Sequence, residues 1–341
     1  MAVTLREVAL KAGVSTAAAS KVLHGRASSV RVSSEKAEVI KKVAQELRYR
    51  PNALARQLRS SRTHTVGIIF ENFNGISDGP LYYTNLLDGA ARVLFPQHYR
   101  ITILPEIDHD NILGSLGDGQ LDGVIWCKLA RTPEVLKLIH DCPIPIVAMN
   151  TPPYPGATEA AFVSCDNEGG MQLAVDHLYS LGHRRFMFVR EEEEVYTPDC
   201  LARMKGFEAA VRRRGLRVEL NDVVTWNWEL DQFDDWVRSK NRQTGLIAWS
   251  ERAGAQILKR AEKVGVSVPG ELSVIGFDST QFCETTKPRL TAVRQPIAEM
   301  AGHAAKTLLA MIAGETPLQL SFTFPCTLDV RDSTAPLKVE A

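Results

Sequence analysis

The chain has 341 residues, 45% of them apolar and 23% charged, with 40 Lys/Arg against 40 Asp/Glu. That length holds two or three domains, and the composition is that of an ordinary globular protein, not a disordered, collagen-like or membrane-embedded one. The zero net charge hides a partition: residues 1–62 carry 13 Lys/Arg and 4 Asp/Glu, a net of +9, and the remainder carries 27 and 36, a net of −9, the asymmetry of a polyanion-binding head on an acidic body.

Residues 4–48 read as three short helices. Thr4 with Glu7 three positions on makes a capping box, and Leu5, Val8, Ala9 and Ala12 form one apolar face. Gly13 interrupts the pattern. Ser15 caps a second helix, Thr16 to about Leu23, with Ala19, Val22 and Leu23 inward. Ser33 or Ser34 caps a third, ending near Arg48, with Ala37, Ile40, Val43, Ala44 and Leu47 on its apolar face. Two helices joined by a tight glycine turn and buried by a third form the pattern of a DNA-binding helix-turn-helix, placed at residues 1–49. Pro51 stops the third helix, and residues 50–62, RPNALARQLRSSR, are basic with too little apolar surface to fold alone. They read as a hinge.

From residue 63 apolar runs alternate with helical stretches. Strands are predicted at 65–71, 99–106, 122–127, 144–150, 162–167, 184–190, 222–226, 245–250, 273–278 and 290–295. Continuous apolar strands separated by helices indicate parallel sheets covered on both faces. Ten such units exceed one comfortable sheet, so two doubly wound subdomains are expected, with a ligand site between them at the carboxyl ends of the strands.

Six cysteines stand at 127, 142, 165, 200, 283 and 326, none in a C-x-x-C pair or at zinc-ligand spacing from His. Buried reduced thiols are the plain reading; a catalytic Cys or a disulfide framework is the alternative. No apolar run approaches the roughly 20 residues that cross a bilayer, and the start MAVTLREVAL has no signal-peptide zones, so a cytoplasmic protein without membrane contact is expected. Asp108, His109 and Asp110 form the densest His/carboxylate cluster but have no further identifiable ligand, so neither a metal nor a cofactor is expected.

Two long segments, VTLREVALKAGVSTAAASKVLHG and VRVSSEKAEVIKKVAQELRYRPNALARQLRSSRTHTVGII, resemble the lactose-repressor (LacI/GalR) family nearly position by position. The likeness returns in DNEGGMQLAVDHLYSLGHRRFMFV, RMKGFEAAVRRRGL, VPGELSVIGFDS and PRLTAVRQPIAEMAGHAAKTLL, and so covers nearly the whole chain. It implies an all-α helix-turn-helix head on an α/β core of two doubly wound parallel-sheet subdomains of the periplasmic-binding-protein type. The core then spans 63–335, its first subdomain about 63–163 and 294–324, its second about 164–293 and 325–335. It also implies a homodimeric transcription repressor gripping a near-palindromic operator in double-stranded DNA and switched by a small, carbohydrate-like effector.

The resemblance assigns base reading to Thr16, Ala17 and Lys21. Lys21 can donate to guanine O6 and N7, Thr16 offers a hydroxyl and a methyl, and Ala17 only a methyl. Ser15, Ser20, His24, Ser33 and Asn52 align with phosphate contacts, which position without specifying sequence. Ala18 and Ala19 read as plain helix formers. Leu58 aligns with a hinge leucine that wedges into the central base step, flanked in the minor groove by Ala55 and Arg59. The turn GRASSVRVSS (25–34) is longer than in relatives, with Arg26 and Arg31 open to phosphate or to solvent.

For the effector, the resemblance points to Arg203, to Asp278 and Asn150 at strand ends, to Trp226 and Trp228 as aromatic platforms with one of the two expected in the core, and to Gln295 at a crossover. Ser250-Glu251 replaces the usual Asn-Asp, and four glutamates in REEEEVYTPDC (190–200) lie near the rim, either as a solvated face or as a feature that disfavours anionic ligands. On this reading Arg203→Ala abolishes ligand response without harming DNA binding. Residues 331–341 contain no heptad, which favours a dimer. Two other classes compete: a sugar-binding module of transport, against which the basic head and the missing signal stand, and an enzyme, for which no G-x-G-x-x-G, Walker loop or nucleophile–base set appears.

Overall fold

The computed structural model describes residues 3–24, 30–50, 62–70, 81–104, 116–127, 137, 139–151, 153, 160–192, 197–239 and 242–337. The chain divides into two compact units, Met1–Thr63 and His64–Ala341.

The first unit holds α1 (Leu5–Lys11), α2 (Thr16–His24) and α3 (Ser34–Glu46). Local chemistry starts each helix. The Thr4 hydroxyl accepts from the Glu7 amide, and the Glu7 carboxylate accepts from the Thr4 amide at 2.7 Å. Ser15 Oγ accepts from the Ala18 amide at 3.2 Å, and Ser33 Oγ from the Lys36 amide at 3.3 Å. Gly13, at φ +66°, takes the left-handed turn between α1 and α2, which a side chain would resist. Val8 packs with Val43 and Ala44, and Ala9 with Ala19 and Ile40, which closes the three helices on one small core. The third helix ends at Glu46, two residues before the expected Arg48, with Leu47 as its C-cap and Arg48 in the left-handed region.

The second unit contains two six-stranded sheets. The first comprises β1 (Thr65–Phe70), β2 (Arg100–Leu104), β3 (Gly123–Cys127), β4 (Ile146–Met149), β5 (Ala160–Cys165) and, near the far end of the chain, β11 (Ser321–Phe324), in the order β11-β5-β4-β3-β1-β2. The second comprises β6 (Phe186–Glu191), β7 (Val223–Trp226), β8 (Gly245–Ala248), β9 (Ser273–Asp278), β10 (Thr291–Arg294) and β12 (Thr327–Asp329), in the order β12-β10-β9-β8-β6-β7. The described pairings are parallel except β10 with β12. Every residue of β3, β4, β5 and β8 is buried, as strands covered by helices on both faces must be.

The covering helices are α4 (Leu81–Leu94), α5 (Asn167–Ser180), α6 (Pro198–Arg213), α7 (Gln232–Val237), α8 (Glu251–Lys263) and α9 (Ile297–Ile312). α4 and α9 pack closely enough that a Cβ on Gly89 would lie 2.1 Å from the Ala298 carbonyl oxygen. Only glycine permits that approach.

The expected strand at 162–167 lies instead at Ala160–Cys165. Asp166 is the N-cap of α5, its carboxylate accepting from the Gly169 amide at 2.8 Å, so Asn167 is already helical. β11 and β12 were not among the ten expected strands. Both are short and part-exposed, and neither shows the continuous apolar run that marks the buried strands. The chain passes between the sheets three times: after β5 into α5, after β10 into α9, and from β11 to β12.

Candidate DNA-reading helix and ligand site

In the head, Thr16 and Ala17 are exposed at the start of α2, while Ala18 and Ala19 turn inward and are buried. The helix therefore offers short side chains outward at the end that would enter a groove. Ser20 and Lys21 are half-buried, and Lys21 Nζ donates to the Val30 carbonyl at 2.8 Å. His24 is the last residue of α2. Ser15 and Ser33 each accept from a helix amide through Oγ, which leaves their O–H bonds free in direction to donate outward where a helix N-terminus attracts anions. Asn52, Ala55, Leu58 and Arg59, with Arg26 and the Asp108–Asp110 cluster, lie outside the described residues.

In the core the carboxyl ends of β6 to β9 gather the second group. Arg203, in the middle of α6, is 1% exposed. Its Nε donates to Asn167 Oδ1 at 2.9 Å and its Nη1 to the Trp249 carbonyl at 2.5 Å. Nη2 lies 3.7 Å from Asp199 and 3.6 Å from Asp278, and the guanidinium stacks 3.6 Å over the Phe277 ring. Burial alone would lower its pKa, but the carboxylates of Asp278 and Asp199 outweigh that and raise it. The guanidinium stays charged because it is matched.

Asp278 and Ser279 close β9 with φ of 92° and 50°, and Asn150 follows β4 at 53°. Non-glycine residues take this region at a cost of about 1–3 kcal/mol each, so three at strand ends mark a site whose surroundings hold them there. Gln295 Nε2 donates to Asp278 Oδ1 at 2.5 Å, and Asn150 Nδ2 to the Tyr82 hydroxyl at 2.7 Å. Both amides are 3% exposed, and Gln295 Oε1 and Asn150 Oδ1 have no hydrogen-bond partner among the described residues. Burial holds the Tyr82 phenol well above its ordinary range, helped by Cys127, Asp199 and Asp278. Tyr82, on the helix of the first sheet, thus lies within electrostatic reach of carboxylates belonging to the second.

The two tryptophans separate. Trp226 is 5% exposed, with its ring centroid 5.5 Å from both Phe233 and Trp236 and 5.7 Å from Trp228; it is core. Trp228 is half-exposed, and its Nε1 donates to Glu191 Oε1 at 2.6 Å, while Trp249 Nε1 donates to Glu191 Oε2 at 3.1 Å. One carboxylate thus fixes two indoles from different strand ends. Ser250 is the N-cap of α8, accepting from the Ala253 amide at 3.1 Å. Glu251 is 1% exposed, and its two oxygens accept from Thr280 N and Oγ1 at 2.7 and 2.6 Å. Burial, then the negative Asp278, raises its pKa against those hydrogen bonds. Ser250 and Glu251 therefore shape the wall of the site. Asn167, Asp199, Glu191, Trp249 and Tyr82 belong to this group and were absent from the sequence-derived set. Asp199 had a signal, standing four residues before Arg203 on the same helix face.

Among the described residues no group of three or more His, Cys, Asp or Glu is placed to hold a metal, and no helix is long and apolar enough to cross a membrane.

Residues 4–52 match the family described as bacterial regulatory proteins, lacI family, and residues 175–334 match a periplasmic binding protein-like domain. Catabolite control protein A of Priestia megaterium is 28% identical, the alignment covering 98% of this chain and 100% of that protein. The HTH-type transcriptional regulator CelR of Thermobifida fusca is 26% identical, over 97% and 98%. Among solved structures, a CelR–cellobiose complex aligns at a TM-score of 0.71 and 25% identity over 97% of this chain and 99% of that one. A lac repressor dimer bound to operator and anti-inducer aligns at 0.82 and 17% identity over 98% and 100%, a likeness of fold. Two matched domains in the expected order, on a fold with a helix-turn-helix head and two parallel-sheet subdomains, show that the chain belongs to the lacI family of bacterial regulatory proteins.

Proposed function

We propose that this regulator is a cytoplasmic repressor that binds a near-palindromic operator as a homodimer and answers to a small carbohydrate-like effector, with no catalytic step of its own. The observation that carries the reading is the pairing of two prepared surfaces. One is the exposed Thr16–Ala17 end of α2 in a head of net charge +9. The other is the buried Arg203 constellation with Trp228 beside it. Related solved structures hold cellobiose, ribose and D-xylulofuranose.

On this reading Thr16, Ala17 and Lys21 face base edges, and Ser15, Ser20, His24, Ser33 and Asn52 hold phosphates. Ala55, Leu58 and Arg59, in the hinge at 50–62, enter the minor groove. Arg203, Asp278, Asn150 and Gln295 meet ligand polar groups, Trp228 packs on a sugar ring, and Ser250 with Glu251 sets the backbone behind them. The core boundaries expected from the sequence follow the same division, with 63–163 and 294–324 in one subdomain and 164–293 and 325–335 in the other.

The test is selection of bound duplexes from random DNA at two salt concentrations, followed by a sugar screen on the complex. A recovered palindrome with a steep salt slope is expected, since displaced counterions dominate such binding, and a sugar should shift the affinity. No enriched sequence, with or without sugars, overturns the repressor reading.

A further inference from the structure

Glu191 is the last residue of β6, and it meets residues carried by the strands on either side: Trp228 just after β7 and Trp249 just after β8. Trp228 Nε1 donates to Glu191 Oε1 at 2.6 Å, and Trp249 Nε1 donates to Oε2 at 3.1 Å. An indole nitrogen can only donate and a carboxylate oxygen only accept, so each bond has one possible direction. Glutamine, of the same length, would offer one oxygen and an amide nitrogen that is itself a donor. Of the two described glutamates in the run at 191–194, Glu192 is exposed, so the run does not act as a single solvated face.

The same two tryptophans are held at their other ends. The Trp249 carbonyl accepts from Arg203 Nη1 at 2.5 Å, and the Arg203 guanidinium lies 5.1 Å from the centre of the Trp249 ring. Arg260, on α8, donates through Nη2 to the Trp228 carbonyl and to the Leu230 carbonyl, the latter at 3.3 Å. α8 is itself started by Ser250, the residue after Trp249. Each tryptophan is thus fixed at its backbone by an arginine and at its ring by one shared carboxylate, which sets the ring plane. Trp249 is 6% exposed and Trp228 half-exposed, so Trp228 supplies the open face of the pair. With both Nε1–H groups spent on Glu191, that face is apolar.

We propose that Glu191 is the positioning residue of the effector platform: it locks Trp228 and Trp249 into one unit before ligand arrives, so that a sugar ring is received on its C–H face. The inference rests on the reading of this region as the effector site, and adds a residue that acts through the ones touching ligand. A tryptophan free to turn must be immobilised when a ligand packs on it, and that ordering weakens binding; one already fixed leaves only the packing. Support of this kind, behind the contacting side chains, is what holds a binding geometry in place. The platform also selects. A ring hydroxyl turned toward it finds no N–H to bond, whereas a patch of ring C–H groups packs on the indole.

The test is Glu191→Gln in the full chain, with thermal unfolding verifying that the variant folds. Of the five tryptophans, Trp228 and Trp249 should both show indole N–H resonances moved upfield in a proton–nitrogen correlation spectrum. One loses its partner and the other exchanges a charged acceptor for a neutral one. The resonances of Trp126 and Trp236 should stay, and Trp228→Phe and Trp249→Phe assign the pair. Calorimetric titration with hexoses, pentoses and disaccharides, cellobiose and D-ribose among them, should find a sugar bound roughly twofold to tenfold more weakly by Glu191→Gln, the range for re-ordering one side chain. In a Trp228→Phe background, where the ring has no N–H to hold, the same substitution should weaken binding by less than about twofold. Indole resonances that stay in place overturn the clamp. Resonances that move while sugar affinity does not overturn its part in receiving ligand, and an equal loss in both backgrounds makes Glu191 a direct contact instead; either result leaves the effector reading standing. If no sugar of the panel binds the unchanged chain, the carbohydrate-effector reading falls and takes the platform with it.

Discussion

Arg203→Leu separates a ligand-contacting arginine from one that also holds the core together. The guanidinium is 1% exposed and matched by Asp199, Asp278, Asn167 and the Trp249 carbonyl. Leucine fills part of the volume over Phe277 but leaves two carboxylates, 3% and 13% exposed, without their cation. Breaking a buried pair by removing one partner costs about 3–5 kcal/mol, against a total stability of about 5–15 kcal/mol. For a unit of this size each kcal/mol moves Tm by about 2–4 °C, so thermal unfolding of the core should fall by about 6–20 °C. Adding Asp199→Asn and Asp278→Asn should recover most of that loss, because the uncompensated charge is then gone. The expectation from sequence, that Arg203→Ala abolishes the ligand response without harming DNA binding, thus gains a second effect: part of any lost response is lost folded protein. A Tm change below 2 °C, or no recovery in the triple variant, would refute the argument that buried charge matching is what this arginine supplies.

Three other outcomes are expected. Lys21→Ala should cost about 1–3 kcal/mol at one base pair of the selected site and relax specificity there, read by competition between operators changed at single positions; a uniform loss across all positions would make Lys21 a phosphate contact instead. Leu58→Ala should weaken operator binding by an amount on the order of a few kcal/mol while leaving effector affinity unchanged, and unchanged anisotropy titrations would remove the wedge. His183, bonded to Thr244 Oγ1, Ser273 Oγ and the Ala335 carbonyl, is held below its ordinary value of 6.5 by burial, against the opposing bond from Ala335. Between the two values the unfolded chain binds the proton that the folded chain refuses, so stability is present above about 6.5 and is lost as pH falls below it; thermal melts across that range should show the loss, and His183→Gln should flatten it.

What was legible in the sequence was local. Thr4, Ser15 and Ser33 were readable as caps because capping needs only a hydroxyl and the next turn of backbone, and all three hydroxyls make those bonds. Strands buried on both faces were readable as apolar runs. β11 and β12 were not, because a part-exposed edge strand of three or four residues carries no such run. Asp166 is the helix N-cap, yet it lies inside the strand expected at 162–167, since one Asp serves either purpose until its side chain is seen to accept from Gly169. In the site, Arg203 could be picked out from its own segment. The Glu191 bridge could not: it joins the last residue of β6 to residues just after β7 and β8, which are neighbours only because β6 lies between those two strands, and periodicity along a chain carries no information about strand order. Tyr82 was invisible for the same reason, being carried by a helix of the other sheet.

That strand order also bears on how a ligand could be felt elsewhere. A ligand shifts a protein between states only by the difference in its affinity for them, so its contacts must include groups whose positions differ when the two sheets move. Gln295 is such a group. It stands at the crossover from β10 to α9, one of three passages between the sheets, and its amide is tied to Asp278 on the second sheet while α9 packs on the first. Asn150 and Tyr82 form a second such pair, fixed to the first sheet but in the electrostatic reach of Asp199 and Asp278. A donor that satisfied the open oxygens of both Gln295 and Asn150 would bind only the arrangement that brings them together. On the proposed effector reading, a ligand donor that reached either open oxygen would favour the arrangement that buries it by about the 1–3 kcal/mol that burial without a partner costs.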